Sequence, residues 1–306
     1  MASVVSTPGA PRAVESPLRR IVADFTANPI AVFGLVLLAV ILFLALFAPW
    51  LSPQNPYDLA QLDVMDSRLP PGSKAPWGTY WLGTDDQGRD MLSAILYGLR
   101  ISLGVGVAST IVALALGMAV GLVSAFAGGW LDNLVMRLVD LQLSFPAILI
   151  ALVLLAVVGQ GVDKIVIALI AVQWAYYART VRGAALVEKR KEYVDAARVM
   201  AFSNPRIVFR HILPNCLPAM IVVATVQVAH AIALEATLSF LGLGVPITSP
   251  SLGLLISNGF AHLLSGRYWI SFFPGIALLV TIVAINLVGD RLRDVLNPRL
   301  ASHFGV

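Results

Sequence analysis

Long runs of apolar residues alternate along this chain with short polar segments. Each run holds at most one charged residue, and a bilayer core of about 30 Å needs about 20 apolar residues in a helix. The runs are continuous and do not alternate between apolar and polar positions, which favours helices over the strands of a membrane barrel. Six membrane-spanning helices are therefore predicted, at residues 30–50, 101–125, 143–160, 165–178, 217–238 and 269–289.

The polar segments between these runs include two long ones. Residues 51–100, here called the outer segment, end in WLGTDDQGRDMLSAILYGLR, where Asp85 is predicted to cap a helix that leads into the second span. Residues 183–216, here called the basic loop, connect the fourth and fifth spans. The predicted organisation is a cytoplasmic tail at 1–29, a first span at 30–50, the extracytoplasmic outer segment, a core of five spans at 101–290 that contains the basic loop, and a cytoplasmic tail at 291–306.

Composition and charge place the chain in a membrane and orient it. Hydrophobic residues make up 58% and charged residues only 12%, whereas soluble domains average roughly 25% charged residues. Fifteen of the 21 Lys and Arg residues lie on the side that holds both predicted tails and the basic loop, and basic segments stay in the cytoplasm. The net charge of +4 therefore reflects topology and gives no reason to expect nucleic acid as a partner.

Motifs for catalysis are missing from the sequence. There is no G-x-x-x-x-G-K-[ST] loop for ATP phosphates, no H-E-x-x-H and no G-x-S-x-G. Cys216 is the single cysteine, so the chain offers no cysteine cluster for a metal. We predict no catalytic residue, no metal site and no cofactor in this chain.

Glu235 is the one Asp, Glu, Lys or Arg residue within the six predicted spans. An ionisable residue in a span is a functional candidate. It could equally meet water at the outer end of its span, or accept hydrogen bonds from the turn that follows. The scarcity of such residues counts against a proton-driven transporter.

The basic loop is longer than a connection between two spans requires. Residues 188–201 are rich in helix formers, and Ala197 and Ala201 lie four positions apart on one face, whose small side chains would let another surface approach. A Phe-Ser-Asn turn follows, and Asn204 is predicted to cap a second short helix that stops at Pro214. The loop could lie on anionic lipid or dock a soluble partner.

This loop resembles the EAA loop of ABC importer permeases, in which E-A-A, three residues, Gly and nine residues precede I-x-L-P. Here D-A-A-R-V-M-A and nine residues precede H-I-L-P. Asp195 stands for the family's Glu, His211 for its Ile and Ala201 for its Gly, although Ala tolerates a positive φ poorly. Other segments between about residues 18 and 300 resemble the C-type subunit of the dipeptide, oligopeptide and nickel permeases: WLGTDDQGRDMLSAILYGLRISL, WAYYARTVRG, TLSFLGLGVP and NLVGDRLRDVLNPRL.

The resemblance implies an all-α protein of the type I ABC importer permease fold, with six transmembrane helices and cytoplasmic termini, in the cytoplasmic (inner) membrane of a bacterium. The implied partners are a second homologous permease, two cytoplasmic ABC ATPases that hold ATP and Mg, an extracytoplasmic solute-binding protein and membrane lipid. The implied solutes are di- or oligopeptides, with nickel chelates, opines and sugars left open. A self-sufficient ion-coupled secondary transporter and a membrane scaffold are the alternatives.

The resemblance also implies ATPase contacts within residues 192–215. The predicted contact residues are Asp195, Ala196, Ala197, Arg198, Ala201, Ser203, Asn204, Pro205 and Arg206.

Polar residues elsewhere supply further candidates. A cluster outside the second span is predicted to be either a gate or binding-protein contact, or a helix cap with internal ion pairs: Asp85, Asp86, Arg89 and Asp90. Solute contacts stay unassigned, and the polar residues available within the spans include Thr110, Gln173, Gln227 and Asn286. Five glycines are predicted to permit close helix packing: Gly98, Gly104, Gly106, Gly117 and Gly121.

Overall fold

The computed structural model describes residues 17–296, so the rest of the two predicted tails lies outside the described residues. The described chain is mainly helical, with one antiparallel hairpin in the outer segment, β1 (Ser73–Ala75) and β2 (Gly78–Tyr80). The helices are α1 (Pro17–Thr26), α2 (Pro29–Leu46), α3 (Ala48–Leu51), α4 (Met91–Ala127), α5 (Gly129–Ser144), α6 (Ala147–Val158), α7 (Val162–Glu188), α8 (Glu192–Val199), α9 (Asn204–Ile207), α10 (Leu213–Phe240), α11 (Leu252–Phe260) and α12 (Trp269–Leu296).

Four stretches of the described chain are long and apolar enough to cross a membrane, namely α2, α4, the continuous helical stretch Asn204–Phe240 and α12. The bent pair of α5 and α6 makes a fifth if it counts as one span. α7 has 27 residues, or about 40 Å at 1.5 Å per residue, but Lys164, Arg179 and Arg182 make it less apolar. The predicted six-helix architecture is compatible with this arrangement.

The predicted third span, residues 143–160, is not one straight helix. α5 and α6 meet at 90°. Phe145 between them is extended, at φ −92° and ψ 143°, because the ring of Pro146 disfavours helical backbone at the residue before it. α6 has 12 residues, or about 18 Å, and so covers only part of a bilayer.

α4 lies at the centre of the fold, and its glycines set the distance to its neighbours. A Cβ atom at Gly117 or Gly121 would lie 2.5 Å from a backbone carbonyl of α7, and one at Gly106 would lie 2.6 Å from a side chain of α10. α7 and α10 are therefore held against opposite parts of α4. The predicted packing role is confirmed for these three and for Gly98, whereas Gly104 faces open space.

Candidate functional site

The basic loop folds against the C-terminal ends of α4 and α7. Val194, Ala197 and Ile207 are buried in one cluster with Leu122 of α4 and Val181 of α7. Val194 and Ala197 lie three positions apart and so share one face of α8. This face belongs to the loop's own core, and the opposite face of α8 is left exposed.

Polar contacts fix the entry into the loop. The Lys189 Nζ atom donates to two backbone carbonyls in the last turn of α4, each at 3.0 Å, which satisfies carbonyls that a helix end leaves free. The Tyr193 hydroxyl donates to Glu188 Oε2 at 2.7 Å. Burial, followed by this hydrogen bond, raises the pKa of Tyr193 to about 12. Glu188 also pairs with Lys191 at 2.7 Å, so the carboxylate joins α7 to the start of α8.

A left-handed residue ends α8. Ala201 has φ +55°, its N–H donates to the Arg198 carbonyl at 2.9 Å, and the Phe202 N–H donates to the Ala197 carbonyl at 3.1 Å. These two bonds form the Schellman motif, which ordinarily has Gly at the left-handed position. The chain thus keeps the backbone that a glycine would adopt and accommodates an extra methyl group, as the resemblance to the EAA loop led us to suspect.

Eight of the nine predicted ATPase-contact residues are exposed in the described chain. Ala197 is the exception, because its side chain packs inside the loop. The structure therefore does not offer Ala197 as part of an external surface, although we predicted a small-residue face through it and Ala201. The exposed eight are Asp195, Ala196, Arg198, Ala201, Ser203, Asn204, Pro205 and Arg206.

Two exposed apolar side chains in the same place were missed by the sequence reasoning. Val199 is 88% exposed and Met200 is 63% exposed. The signal was present, because Val194 and Ala197 at spacing i, i+3 define the buried face of α8 and leave Val199 on the other side. Together with the exposed eight they form what we call the α8 surface.

The second helix of the loop does not stop at Pro214. α9 is followed by a π-helical turn, Val208–Ile212, and then directly by α10. The Leu213 N–H donates to the Val208 carbonyl, five residues back. This wider turn moves the hydrogen bonds out of the ordinary register, so that the missing N–H of Pro214 does not end the helix.

The start of this second helix also differs from the prediction. Ser203 is the extended N-cap residue, at φ −64° and ψ 147°, and Asn204 is already helical. The Arg206 guanidinium lies 5.2 Å from the centre of the Phe202 ring, and that ring stacks on His211 at 5.9 Å. The Phe202 ring thus contacts both the Arg206 guanidinium, in a cation–π interaction, and the His211 ring, and these contacts hold the turn closed.

The charged cluster of the outer segment is folded inward. Asp85 and Arg89 are fully buried. The Arg89 Nε atom donates to Asp85 Oδ2 at 2.5 Å, and Nη1 donates to the Ile247 carbonyl at 3.2 Å. Asp85 Oδ1 also accepts the backbone N–H groups of Gln87 and Arg89, each at 2.9 Å. This ion pair therefore joins the outer segment to the turn that precedes α11.

Asp90, not Asp85, caps α4. Asp90 Oδ2 accepts the backbone N–H of Ser93 at 2.8 Å and its hydroxyl at 2.6 Å. The Asp90 N–H donates to the Gln54 side chain at 2.6 Å. Burial is the largest cause that raises the pKa of Asp90. The cap and the internal ion pair that we predicted as one interpretation are both present, and the gate or binding-protein contact stays a prediction.

Asp86 stands apart from its neighbours. Its Oδ1 atom is buried without a hydrogen-bond partner among the described residues. Burial, and then the charge of Asp85, raise the pKa of Asp86. The outer cluster thus contains one carboxyl oxygen, and the Arg89 Nη2 atom, without a hydrogen-bond partner among the described residues.

A groove between α7 and α10 brings together three of the four polar residues named within the spans. Gln173 and Gln227 line a cavity of about 410 Å³, and the Thr110 hydroxyl donates to Gln173 Oε1 at 3.3 Å. Gln227 also lines a second cavity of about 690 Å³ nearer the basic loop, so the two cavities adjoin. Asn286 is half-buried on α12 and lies outside both.

Glu235 is fully buried between α4 and α10. Its carboxylate accepts hydrogen bonds from the hydroxyls of Ser102 and Ser239, both at 2.8 Å. It therefore neither meets water nor depends on backbone amides. The two serines satisfy the hydrogen-bonding capacity of the buried carboxylate, and the bond to Ser102 links α10 to α4.

Comparison with known families identifies this arrangement. Residues 113–302, more than half of the chain, match the family described as the inner membrane component of binding-protein-dependent transport systems. The chain belongs to that transport family. Residues 16–71 of this permease also match the N-terminal transmembrane domain of oligopeptide transport permease C.

Curated relatives match this permease along nearly its whole length. The di/tripeptide transport system permease protein DppC of Pseudomonas aeruginosa is 37% identical over 289 residues, 94% of each chain. A Brucella suis protein that is named as a peptide transport system permease protein is 41% identical over 267 residues, 87% of each chain. These matches show that the chain is an inner membrane permease of a bacterial ABC transporter.

A solved structure shows the same fold. The chain resembles a permease chain of the MetNI methionine ABC transporter in an inward facing conformation, with a TM-score of 0.56 and 21% identity. The match covers 67% of this chain and 97% of that chain. The type I ABC importer permease fold expected from the sequence is confirmed, and the family favours it over a self-sufficient secondary transporter.

Proposed function

We propose that this permease is one of two membrane subunits of an ATP-driven importer of di- or oligopeptides. The proposed partners are a second homologous permease, two cytoplasmic ATPases and an extracytoplasmic solute-binding protein. The permease itself is not an enzyme and holds no cofactor in this proposal, since ATP and Mg belong to the ATPases. Peptides are proposed because relatives that match nearly the whole chain are named for peptide transport.

The α8 surface is the observation that carries the coupling part of the proposal. It presents Val199 and Met200 beside Arg198 and Arg206, all exposed. Exposed apolar side chains, arginines and small polar groups in one short segment are typical of a protein interface. The opposite face of α8 is packed on α4 and α7, so a force on this surface acts on the membrane helices.

Coupling would then run from the ATPases to the solute path through α9 and α10. ATP binding closes the ATPase pair, and the docked α8 and α9 move with it. Because α9, the π turn and α10 form one helical stretch, the movement reaches the groove between α7 and α10. Hydrolysis resets the arrangement.

The test uses the complete complex in proteoliposomes with a labelled dipeptide. We expect uptake to require ATP, the ATPases and the binding protein. Met200→Glu should abolish ATPase binding and uptake, because a charge would be buried at the centre of the interface. Met65→Glu is the matched control, because Met65 is also exposed, at 86%, but lies in the outer segment.

Two outcomes would overturn the proposal. Uptake by this chain alone, driven by an ion gradient, would establish the secondary-transporter alternative. Equal ATPase binding by the Met200→Glu and Met65→Glu complexes would remove the α8 surface as the docking site.

A further inference from the structure

The cavity of about 410 Å³ between α7 and α10 is lined by an unusual set of groups. None of the described residues that line it is Asp, Glu, Lys or Arg. Its polar groups are the side-chain amides of Gln173 and Gln227, the ring of His230, and the hydroxyls of Tyr176 and Thr237. Amides, an imidazole ring and hydroxyls supply both donors and acceptors of hydrogen bonds. The cavity therefore offers partners of both kinds.

Gln173 is the residue that points most directly to a ligand. It is only 3% exposed. Its Oε1 atom accepts from Thr110, but its Nε2 atom is buried without a partner among the described residues. A buried donor without an acceptor is costly. Because Gln173 lines the cavity, a rotation of its side-chain amide towards a carbonyl oxygen bound there would relieve that cost.

Gln227 and His230 face the same cavity from α10. The Gln227 Oε1 and His230 Nδ1 atoms lie 3.2 Å apart, one helical turn from each other. Gln227 is buried, while His230 is exposed at the mouth of the groove. The pair therefore places hydrogen-bonding atoms opposite Gln173 at two depths.

We infer that Gln173, Gln227 and His230 form a transit site that binds the backbone amide of the transported peptide. This inference rests on the proposed function. A peptide amide presents one carbonyl acceptor and one N–H donor, which the Gln173 Nε2 atom and the Gln227–His230 pair complement. Because these contacts address the backbone, the site would accept peptides with different side chains, which the apolar walls at Ile148 and Leu234 would surround.

Adjacent cavities give the site a route onward. Gln227 also lines the cavity of about 690 Å³ whose other lining residues include Glu188, Lys191 and Arg293. A peptide that leaves the transit site towards the cytoplasm would thus pass from uncharged groups to charged groups of both signs. Both charged ends of a peptide would find a partner there.

The first test replaces Gln173 by Leu in the complete complex. Loss of one hydrogen bond to the peptide should lower the uptake rate at saturating binding protein by roughly tenfold, while the ATPase rate stays within about twofold of the original. Asn286→Leu is the matched control, since Asn286 lies in a span but outside both cavities, and it should leave uptake unchanged. Uptake by the Gln173→Leu complex equal to that of the control would overturn the inference.

The second test does not depend on the uptake rate. The chain has one cysteine, Cys216, and it is buried, so Cys216→Ala gives a background for a single introduced thiol. His230→Cys in the complex should react with a polar maleimide, and a dipeptide delivered by the binding protein should slow that reaction. Met65→Cys should react equally with and without dipeptide.

The outcomes separate the inference from the proposed function. Unchanged labelling of His230→Cys by dipeptide, in a complex that still imports it, would overturn the transit site and leave the proposed function in place. The same would follow if the second permease covered His230 so that it never reacted. If the original complex imports no peptide, the proposed function and the inference fall together.

Discussion

The charged cluster Asp85–Asp90 of the outer segment lies inside the fold, whereas the charged side chains of α8 lie outside it. Asp85 and Arg89 are fully buried and bonded to each other. Asp195 and Arg198 also pair, at 3.0 Å, but their side chains are 64% and 44% exposed. A buried pair is strongly destabilised when one member is removed, whereas an exposed pair contributes little. The Asp85–Arg89 pair therefore holds the outer segment to the rest of the fold, and the charges of Asp195 and Arg198 remain available to a partner.

The difference shows that density of charge does not by itself locate a functional surface. Both regions are rich in charged residues in the sequence. What separates them is whether the chain supplies its own hydrogen-bond partners. The outer cluster has a carbonyl, backbone N–H groups and a serine within reach, while the α8 surface turns its side chains to the solvent.

The largest expected effect comes from breaking the buried ion pair. Arg89→Leu should destabilise the outer segment by about 3–5 kcal/mol, because the Asp85 carboxylate would stay buried without its partner. Hydrogen exchange of the backbone amides between Asp85 and Asp90 measures this directly. Lys74→Ala, an exposed basic residue of the same segment, should change little. Unchanged exchange together with lost uptake would instead favour a gate.

A smaller effect is expected from two neighbouring alanines of α8. Ala197→Glu should destabilise the basic loop by about 2–3 kcal/mol, since it places a carboxylate in the cluster with Val194 and Ile207. Ala196→Glu is exposed and should change stability by no more than about 0.5 kcal/mol, yet it should weaken ATPase binding. Proteolysis of the loop and ATPase pull-down distinguish the two. Equal protease sensitivity would contradict the inward orientation of Ala197.

The turn at Ala201 should respond in the opposite direction. A left-handed conformation costs a non-glycine residue about 1–2 kcal/mol. Glycine avoids this cost, but it loses more conformational entropy on folding, which cancels part of the gain. Ala201→Gly should therefore stabilise the basic loop by up to about 1 kcal/mol. Slower hydrogen exchange at Ala201 and Phe202 would show it, and faster exchange there would contradict it.

The smallest effect concerns pH. The pKa values of Asp86 and Asp90 are raised, mainly by burial, so the folded outer segment binds protons more tightly than the unfolded one. Its stability should be constant well above these raised pKa values, should rise as the pH falls through them, and should level off below the ordinary carboxyl pKa of about 3.8. Protease protection of the outer segment across this range provides the measurement. Asp86→Asn should flatten the curve, and a decrease in protection on acidification would give the wrong sign.

The fold was largely predictable because its signals are long and strong. Continuous apolar runs predicted the helices of the spans, and the Schellman position was visible as an alanine where the family has glycine. Breaks were harder. The helix before Pro146 does bend, but Pro214 leaves its helix intact because a π turn absorbs it. Proline in a sequence shows that an N–H is missing, not whether the hydrogen-bond register will adapt.

The candidate site was less predictable because it depends on which face of a helix is buried. Ala197 and Ala196 are adjacent and identical in sequence, and only packing on α4 and α7 separates them. Gln173 and Gln227 lie 54 positions apart, and close contact of α7 and α10 with α4 brings them to one cavity. No local pattern in the sequence reports such a meeting.

The π turn has a geometric consequence for the groove. From Asn204 to Phe240 the chain is one continuous helical stretch of 37 residues, about 55 Å long, which has Pro218 inside it but no loop that separates its two ends. A π turn holds about one residue more than an α turn, so everything beyond it is rotated by about 100° relative to a regular α-helix. The direction in which Gln227 and His230 point around the helix axis is therefore set at the start of this helical stretch, beside the surface where we place the ATPase.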